Sequence, residues 1–289
     1  MFKFSKYHGC GKDFVIVNEE DVVKSGRNIS RFATKICSRN TGVGADGLII
    51  VRRSPLEMIV INSDGSRATM CGNGIRCFAN YCYDDEVIPV TVRDYEVMTG
   101  AGVMKVSVQT TDPFVAEINM GLPDFTPANV GCDCASEDLI NRQLEIGGEL
   151  VTVSTMFMGT VHTIVWVMDN PWAPDSISGF SINEKILRQG KLIAEHPVFK
   201  EKTNVNFALK LNKGTIKLIT YERGIGFTAA SGSGACASVV IGALERKLNK
   251  SAKVILPYGE INVSLKRDGV RMVGPAERIM TGRYYEDRQ

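Results

Sequence analysis

The sequence predicts an α+β protein of two pseudo-symmetric lobes, each a β-sheet wrapped around a central helix. First, residues 71–77 (CGNGIRC) and 231–236 (SGSGAC) repeat one pattern: a small nucleophile-type residue, Gly-x-Gly and a helical run. Second, short β-rich runs outnumber helical runs in both halves of the chain. Third, the apolar run at 236–244 is typical of a buried helix. Together these features predict one central helix per lobe.

The individual elements follow from hydrophobic periodicity and turn residues. Strands are predicted at 14–17, 47–51, 58–61, 104–108, 115–118, 163–167, 215–219 and 260–265, and helices at 29–37, 74–83, 183–189 and 234–248. The strand at 115–118 ends before Gly121 and Pro123, which indicates a boundary. We therefore assign residues 1–118 plus 277–289 to a first lobe carrying Cys71, and 119–276 to a second carrying Ser231.

The repeat extends upstream of the glycine turns. Asn62 precedes Cys71 by nine positions, and Glu222 precedes Ser231 by the same nine positions. A repeated nucleophile–glycine–helix turn with matching upstream residues indicates two related lobes. We expect both turns to face one ligand.

The chemistry of such a turn comes from its backbone amides. Gly-x-Gly lets the backbone approach a ligand closely, and the first N–H groups of a helix have no partner inside the helix. The helix dipole favours an anion there, and it lowers the pKa of a thiol at that point. Two such turns would hold a carboxylate with a proton donor or acceptor on each side. That arrangement suits removal of a proton from one face of an α-carbon and its return to the other.

Composition excludes several other classes of function. The 289 residues carry a formal net charge of +2, with 44% hydrophobic and 23% charged residues, so nothing favours nucleic-acid or membrane partners. The opening segment lacks the apolar core of a signal peptide, so we expect a cytoplasmic protein with reduced thiols. Cys132 and Cys134 are too close for ordinary zinc ligation, and we expect no metal.

Blocks along nearly the whole chain resemble the diaminopimelate epimerase family. They are residues 6–14 (KYHGCGKDF), 42–47 (GVGADG), 62–66 (NSDGS), 70–77 (MCGNGIRC), 119–121 (NMG), 159–162 (GTVH), 203–207 (TNVNF), 221–224 (YERG), 231–235 (SGSGA) and 274–276 (GPA). The resemblance implies a pyridoxal-independent epimerase of lysine and peptidoglycan biosynthesis that needs no cofactor. It implies a small amino-acid substrate, an active site in the cleft between two lobes, and a homodimer.

The resemblance also implies which residues form the site. A paired acid and base would stand at Cys71 and Ser231, activated by His162 and Glu222. The amides implied to bind the α-carboxylate are those of Gly72, Asn73, Gly232 and Ser233. The side chains implied to bind the distal end of the substrate are Asn62, Asn204 and Arg223. Lys12 and Thr160 stand at two further substrate-binding positions, where the family has Asn.

The chain departs from the family pattern at four positions. Ser231 replaces Cys, Phe227 replaces Glu, and Lys12 and Thr160 replace Asn. The retained Asn, Glu and Arg residues favour a substrate with a second amino-acid-like end. The lost Asn residues favour a changed distal pocket.

Ser231 leaves three interpretations open, because a hydroxyl is far less acidic than a thiol. It is a substitution that traps an active enzyme, a natural variant working mainly from one face, or the mark of a one-base reaction. Phe227 favours natural divergence, since a trapping experiment does not need it.

The leading function is epimerisation of LL- or meso-diaminopimelate. The alternatives are a racemase of another amino acid, such as histidine or hydroxyproline, and a one-base or non-catalytic amino-acid-binding relative.

Overall fold

The computed structural model describes residues 2–23, 26, 28–132, 135, 139–170 and 181–285. Two compact units make up the chain. One consists of Met1–Asn119 and Val273–Gln289, and the other of Met120–Met272. Cys71 belongs to the first unit and Ser231 to the second.

The first unit is built mainly of strands. Its elements are β1 (Phe2–Gly9), β2 (Lys12–Asn18), α1 (Glu19–Val23), α2 (Ile29–Cys37), β3 (Gly47–Arg53), β4 (Leu56–Asn62), β5 (Arg67–Ala68), α3 (Gly72–Asp84), β6 (Asp94–Thr99), β7 (Gly102–Thr111), β8 (Phe114–Asn119) and the returning β18 (Glu277–Tyr284).

The sheet of the first unit encloses α3. The strands follow the order β18-β1-β2-β3-β4-β6-β7-β8, antiparallel except for the β2–β3 and β4–β6 pairs. Helix α3 packs against β1, β2 and β8, and every residue of 72–83 is buried. Helix α2 packs on β3 and β4 through Phe32, Ala33 and Ile36. The central helix is therefore surrounded by the sheet.

The second unit repeats this plan. Its elements are α4 (Pro127–Val130), β9 (Arg142–Ile146), β10 (Glu149–Phe157), β11 (Val161–Trp166), a 3-10 turn (Val167–Asp169), α5 (Glu184–Ala194), β12 (Asn204–Asn212), β13 (Thr215–Glu222), β14 (Gly226–Thr228), α6 (Gly232–Leu244), β15 (Ser251–Leu256) and β16 (Gly259–Lys266). Strand β17 (Gly269–Pro275) begins in this unit and its last three residues belong to the first.

Strand pairing in the second unit matches that in the first. The order is β9-β10-β11-β12-β13-β15-β16, with the β11–β12 and β13–β15 pairs parallel and the others antiparallel. Helix α6 packs on β11, β12 and β16, and α5 packs on β12 and β13. The apolar core beneath α5 includes Val165, Val205 and Phe207. One face of this sheet therefore carries α5, and the other carries α6.

The repeat holds at the level of single hydrogen bonds. Each residue of α6 is numbered 160 higher than its counterpart in α3. Both helices end in a turn with a residue at positive φ, Glu86 at 51° and Arg246 at 58°. The N–H groups of Val87 and Lys247 each donate 2.8 Å back to the helix. The predicted two-lobe α+β class is confirmed.

Several predicted boundaries shift for local reasons. Helix α6 ends at Leu244 rather than 248, because the left-handed turn at Arg246 stops it. Strand β11 ends at Trp166, where the 3-10 turn begins. Helix α5 continues to Ala194, since Ile193 and Ala194 remain on its buried face.

Cysteines in the described part of the chain are mostly free. The free thiols are Cys10, Cys37, Cys71, Cys77, Cys82 and Cys236. Cys132 is disulfide-bonded, so the expectation of reduced thiols is wrong at that position. Among the described residues, no helix is long and apolar enough to span a membrane.

Candidate active site

Cys71 is the residue that caps α3. Its backbone is extended, with φ −143° and ψ 117°, and its carbonyl accepts from Ile75 N at 2.9 Å, beginning the helix. Its Sγ accepts a hydrogen bond from Gly74 N at 3.4 Å. The side chain is half-buried. A partly accessible sulfur therefore stands at the positive end of a helix dipole.

Ser231 caps α6 in the same way. Its φ is −124° and its ψ is 109°, and its carbonyl accepts from Ala235 N at 3.0 Å. Its Oγ accepts from Gly234 N at 3.1 Å, and the residue is buried. The two helix starts thus share one geometry but carry different nucleophilic atoms.

The first turn of each helix supplies amides for an anion. The third N–H group, from Gly74 or Gly234, bonds to the cap. The first two N–H groups lack acceptors inside the helix, as at any helix start. In α6 these belong to Gly232 and Ser233, and the corresponding pair in α3 is Gly72 and Asn73. Each helix start, taken by itself, therefore has the geometry of an anion site.

Arg76 fixes the first turn of α3, a role that sequence analysis missed. Its guanidinium is fully buried and donates to Gly72 O at 3.1 Å, Asn73 Oδ1 at 2.8 Å and Pro275 O at 3.1 Å. A trans peptide points its C=O and N–H in opposite directions. The bond to Gly72 O therefore sets the direction of Asn73 N–H. The available signal was the spacing of Arg76, four residues after Gly72 on the same helix face.

Asn62 and Lys12 lie at strand ends in the first unit. Asn62 is the last residue of β4, and its Nδ2 donates to Ser66 Oγ at 2.9 Å. Lys12 is the first residue of β2, and its charge acts on the Asp46 carboxylate. Burial nevertheless raises the pKa of Asp46. The Asn62 amide is thus bonded within its own unit, and the Lys12 charge acts on a carboxylate of the same unit.

His162 is bonded at both ring nitrogens. Its Nε2 lies 3.0 Å from Ser233 Oγ and its Nδ1 lies 3.1 Å from Asn206 Nδ2. Complete burial, reinforced by the charge of Arg223, lowers the pKa of His162 to about 3. The imidazole is therefore neutral at physiological pH. Its direct partner in the predicted cradle is Ser233.

Three of the predicted distal residues meet in the second unit. Asn204 Oδ1 accepts from Arg223 N at 3.0 Å. The Arg223 guanidinium donates to Thr160 Oγ1 at 3.1 Å and to Glu201 O at 2.7 Å. The structure thus brings Thr160 and Asn204 to Arg223, Thr160 at its guanidinium and Asn204 at its backbone N–H.

Glu222 and Phe227 face opposite sides of the β13–β14 hairpin. Glu222 Oε1 accepts from Thr228 Oγ1 at 3.3 Å. The Phe227 ring packs edge-on against Tyr221, with ring centroids 5.3 Å apart, beside the core beneath α5. Side chains alternate across a strand, so Phe227 points away from the face that carries Glu222. Phe227 therefore does not share the face of the predicted site residues.

No group of three or more His, Cys, Asp or Glu side chains that could hold a metal occurs within residues 2–23, 28–132, 139–170 and 181–285.

Sequence comparison finds close relatives along nearly the full chain. The family model described as diaminopimelate epimerase matches residues 4–126 and 157–284. A diaminopimelate epimerase from Clostridium perfringens is 38% identical over 290 residues, covering 98% of this chain and 99% of that protein. Another, from Alkaliphilus metalliredigens, is 35% identical over 288 residues, covering 98% and 97%.

Solved structures share the fold at low identity. A probable proline racemase from Agrobacterium radiobacter K84 gives a TM-score of 0.70 at 11% identity, covering 99% of this chain and 94% of that one. A hydroxyproline epimerase from Agrobacterium vitis gives 0.65 at 13% identity, covering 97% and 91%. At such identities these likenesses establish the fold alone.

Proposed function

The chain belongs to the diaminopimelate epimerase family, and on that premise we propose that it is an isomerase of amino-acid biosynthesis. It inverts the α-carbon of LL- and meso-diaminopimelate by two-sided proton transfer. The reaction needs no imine cofactor, because the protein itself stabilises the charge that develops on the substrate.

One observation carries this proposal: two helix starts are capped alike by side chains that can carry a proton. Cys71 Sγ accepts from Gly74 N, and Ser231 Oγ accepts from Gly234 N. Inversion requires one group to remove the α-proton and a second to protonate the opposite face. The repeat provides one such group in each unit.

The amides of the first turns support the chemical step. An α-proton next to a carboxylate is very weakly acidic, and its removal builds negative charge on the carboxylate oxygens. Preorganised N–H donors at a helix start stabilise that charge, and one such donor contributes about 10²–10³ in rate in well-studied enzymes. We assign this role to Gly72, Asn73, Gly232 and Ser233. Buried Arg76 holds the first pair in place.

Cys71 and Ser231 have unequal roles in this proposal. A thiol titrates near pH 8.5 in water, so a thiolate is accessible for removal of the α-proton. The Ser231 hydroxyl is a poor base and serves as the donor on the other face. The expected consequence is that α-proton exchange with retention is faster for the stereoisomer whose α-hydrogen faces Cys71.

The distal end of the substrate is assigned to the remaining predicted residues. Asn204 and Arg223 are joined by a 3.0 Å hydrogen bond, and Thr160 lies against the Arg223 guanidinium. Amide, guanidinium and hydroxyl groups suit the second amino-acid end of diaminopimelate. We place Asn62, Lys12 and Glu222 at the same substrate.

The hydroxyl of Ser231 favours a second candidate function. An enzyme with one competent base would exchange the α-proton without inversion. Lys12, Thr160 and Phe227 favour instead a racemase of another amino acid, such as histidine or hydroxyproline. A relative that only binds an amino acid would do neither.

Incubation in D₂O separates these functions. Each isomer of diaminopimelate is incubated with the enzyme, and α-deuterium and stereochemistry are followed by NMR and chiral chromatography. Deuterium uptake with inversion supports the epimerase. Uptake without inversion supports a one-base enzyme, and tight binding without uptake supports a binding protein. The cytoplasmic location and the homodimer remain predictions, checked by cell fractionation and analytical ultracentrifugation.

A further inference from the structure

Four hydrogen-bonded polar side chains, three of them buried, lead to the first turn of α6. Thr220 Oγ1 donates to Asn206 Oδ1 at 3.0 Å, and Asn206 Nδ2 lies 3.1 Å from His162 Nδ1. His162 Nε2 lies 3.0 Å from Ser233 Oγ. Thr220, Asn206 and His162 are buried, and Ser233 is partly exposed. Neither Thr220 nor Asn206 belongs to the set of site residues expected from sequence.

Strand register places these side chains together. Asn206 pairs directly with Thr220 across β12 and β13. His162 of β11 pairs with Asn204, two residues before Asn206 on the same strand. Residues two apart on a strand share a face, so all three strand residues project from the same side of the sheet. That side carries α6, to which Ser233 belongs.

The surroundings fix the orientation of the Asn206 amide. Its Nδ2 lies 3.4 Å from both Thr163 O and Asn204 O, which are acceptors only. A flipped amide would place its oxygen against these two carbonyls. The NH₂ group therefore faces His162, and Oδ1 faces Thr220.

The amide orientation sets the tautomer of His162. An NH₂ group only donates, so Nδ1 must be the unprotonated nitrogen that accepts. The ring proton of a neutral imidazole then lies on Nε2, which donates to Ser233 Oγ. Since Ser233 Oγ receives this bond, its own hydrogen is directed elsewhere.

We propose that Asn206 and Thr220 are positioning residues that hold His162 as its Nε2–H tautomer, so that the Ser233 hydroxyl donates to an anion bound at the start of α6. Only the identity of that anion, the α-carboxylate, rests on the proposed function. Each hydrogen bond in this series of side chains donates toward the helix start, from Thr220 through Asn206 and His162 to Ser233. Hydrogen bonds aligned in this way polarise one another.

His162 is in this view a fixed donor and not a proton carrier. A second proton on Nδ1 would meet the NH₂ of Asn206, so two donors would face each other. Complete burial and the nearby charge of Arg223 also disfavour the imidazolium, holding the pKa of His162 at about 3. The ring therefore keeps one protonation state through turnover.

The close fit of α6 supports the role of Asn206. A Cβ on Gly234 would lie 2.2 Å from Asn206 Oδ1. Glycine at this position gives the amide its space beside the helix. In the first unit the matching Cβ on Gly74 would meet nothing closer than 3.2 Å.

Nitrogen NMR of histidine tests the tautomer without any substrate. The chain has three histidines, and His8→Gln and His196→Gln variants assign the His162 signals by elimination. We expect a protonated Nε2 and an unprotonated Nδ1, unchanged between about pH 5 and pH 8. Asn206→Asp replaces the donor with an acceptor, and we expect Nδ1 to become protonated. A protonated Nδ1 in the unaltered protein, or titration in that range, overturns the inference.

Ligand binding tests the proposed role of the Ser233 hydroxyl. Titration calorimetry with meso-diaminopimelate should show Ser233→Ala weakened by about tenfold to a hundredfold, the usual effect of one hydrogen bond to a charged group. Ser238→Ala is the matched control, because Ser238 Oγ bonds to Gly234 O within the same helix. Equal affinities for Ser233→Ala and the control overturn this end of the proposal.

A second pair of variants separates positioning from simple loss of stability. Thr220→Val removes the donor to Asn206, and Thr155→Val removes an equally buried hydroxyl that bonds to Thr163. We expect only Thr220→Val to weaken binding and shift the His162 nitrogen signals. Equal effects from both variants contradict the proposal. If the unaltered protein does not bind diaminopimelate, the proposed function fails, and the tautomer measurement decides the inference by itself.

Discussion

Alanine substitution at matched glycines tests how the two helix starts differ. Gly74 and Gly234 occupy the same place, three residues after Cys71 and Ser231. An alanine Cβ at Gly234 would lie 2.2 Å from Asn206 Oδ1 and 2.9 Å from Ser231 Oγ. At Gly74 the nearest atoms are the Cys71 Cβ at 3.2 Å and a terminal carbon of an isoleucine at 3.3 Å.

The magnitudes follow from these contacts. Overpacking at Gly234 costs about 1–3 kcal/mol, and moving Asn206 sacrifices hydrogen bonds of about 1 kcal/mol each. Helix propensity returns at most about 1 kcal/mol for Gly→Ala. We therefore expect Gly234→Ala to lower the free energy of unfolding by about 2–4 kcal/mol. For Gly74→Ala the overlap is a few tenths of an ångström, so the change should stay within about 1 kcal/mol of zero.

Urea unfolding provides the assay. Circular dichroism follows both units, and tryptophan fluorescence follows the second, because Trp166 and Trp172 both lie within residues 120–272. In the Gly234→Ala protein, the further substitution Asn206→Ala removes the clashing side chain. The double variant should therefore be more stable than the sum of the two single effects, with a coupling energy between the two sites of about 1–3 kcal/mol. A neutral Gly234→Ala, or a Gly74→Ala that destabilises as much, would refute the reasoning.

Three further predictions use the same measurements and the exchange assay. Ser231→Cys should raise the rate of inversion by at least about tenfold, since a thiol is a competent base. An unchanged rate in the D₂O assay would rule out Ser231 as the group that limits inversion. Arg76→Met should lower the free energy of unfolding by about 3 kcal/mol or more, because it leaves buried acceptors such as Gly72 O and Pro275 O without their donor. Arg76→Lys should recover little of the lost stability, because lysine lacks the planar guanidinium that donates to several acceptors at once. Burial and Arg223 depress the pKa of His162 to about 3, below its unfolded value, so the stability it contributes is present above about pH 6.5 and is lost as pH falls. The urea midpoint should therefore drop by the equivalent of about 2 kcal/mol between about pH 7 and pH 5, and His162→Gln should flatten that part of the profile.

Local motifs account for the elements that are correctly predicted from sequence. The Gly-x-Gly turns, their caps and the helices that follow are encoded by adjacent residues, so the sequence alone places Cys71 and Ser231 at helix starts. Helix α2 is predicted at its observed bounds because its apolar residues repeat with helical spacing after the cap Asn28.

The partners of the site residues cannot be predicted in this way. His162 and Asn206 are 44 positions apart, and their contact depends on the register between β11 and β12. A shift of one residue in that register would turn Asn206 to the face that carries α5. Phe227 shows the same dependence, because only strand alternation reveals that its ring joins the core beside Tyr221.

The sequence by itself determined the repeat, the two capped helix starts and the chemistry that their amides can support, since each rests on contiguous residues and on properties of any helix terminus. Tertiary structure alone decided that Arg76 orients the first turn of α3, that Asn206 and Thr220 fix the proton on His162, and that Phe227 points into the core. The physical reason is that hydrogen bonds between buried side chains depend on the orientation of each donor and acceptor. Packing sets that orientation through residues far apart in the chain.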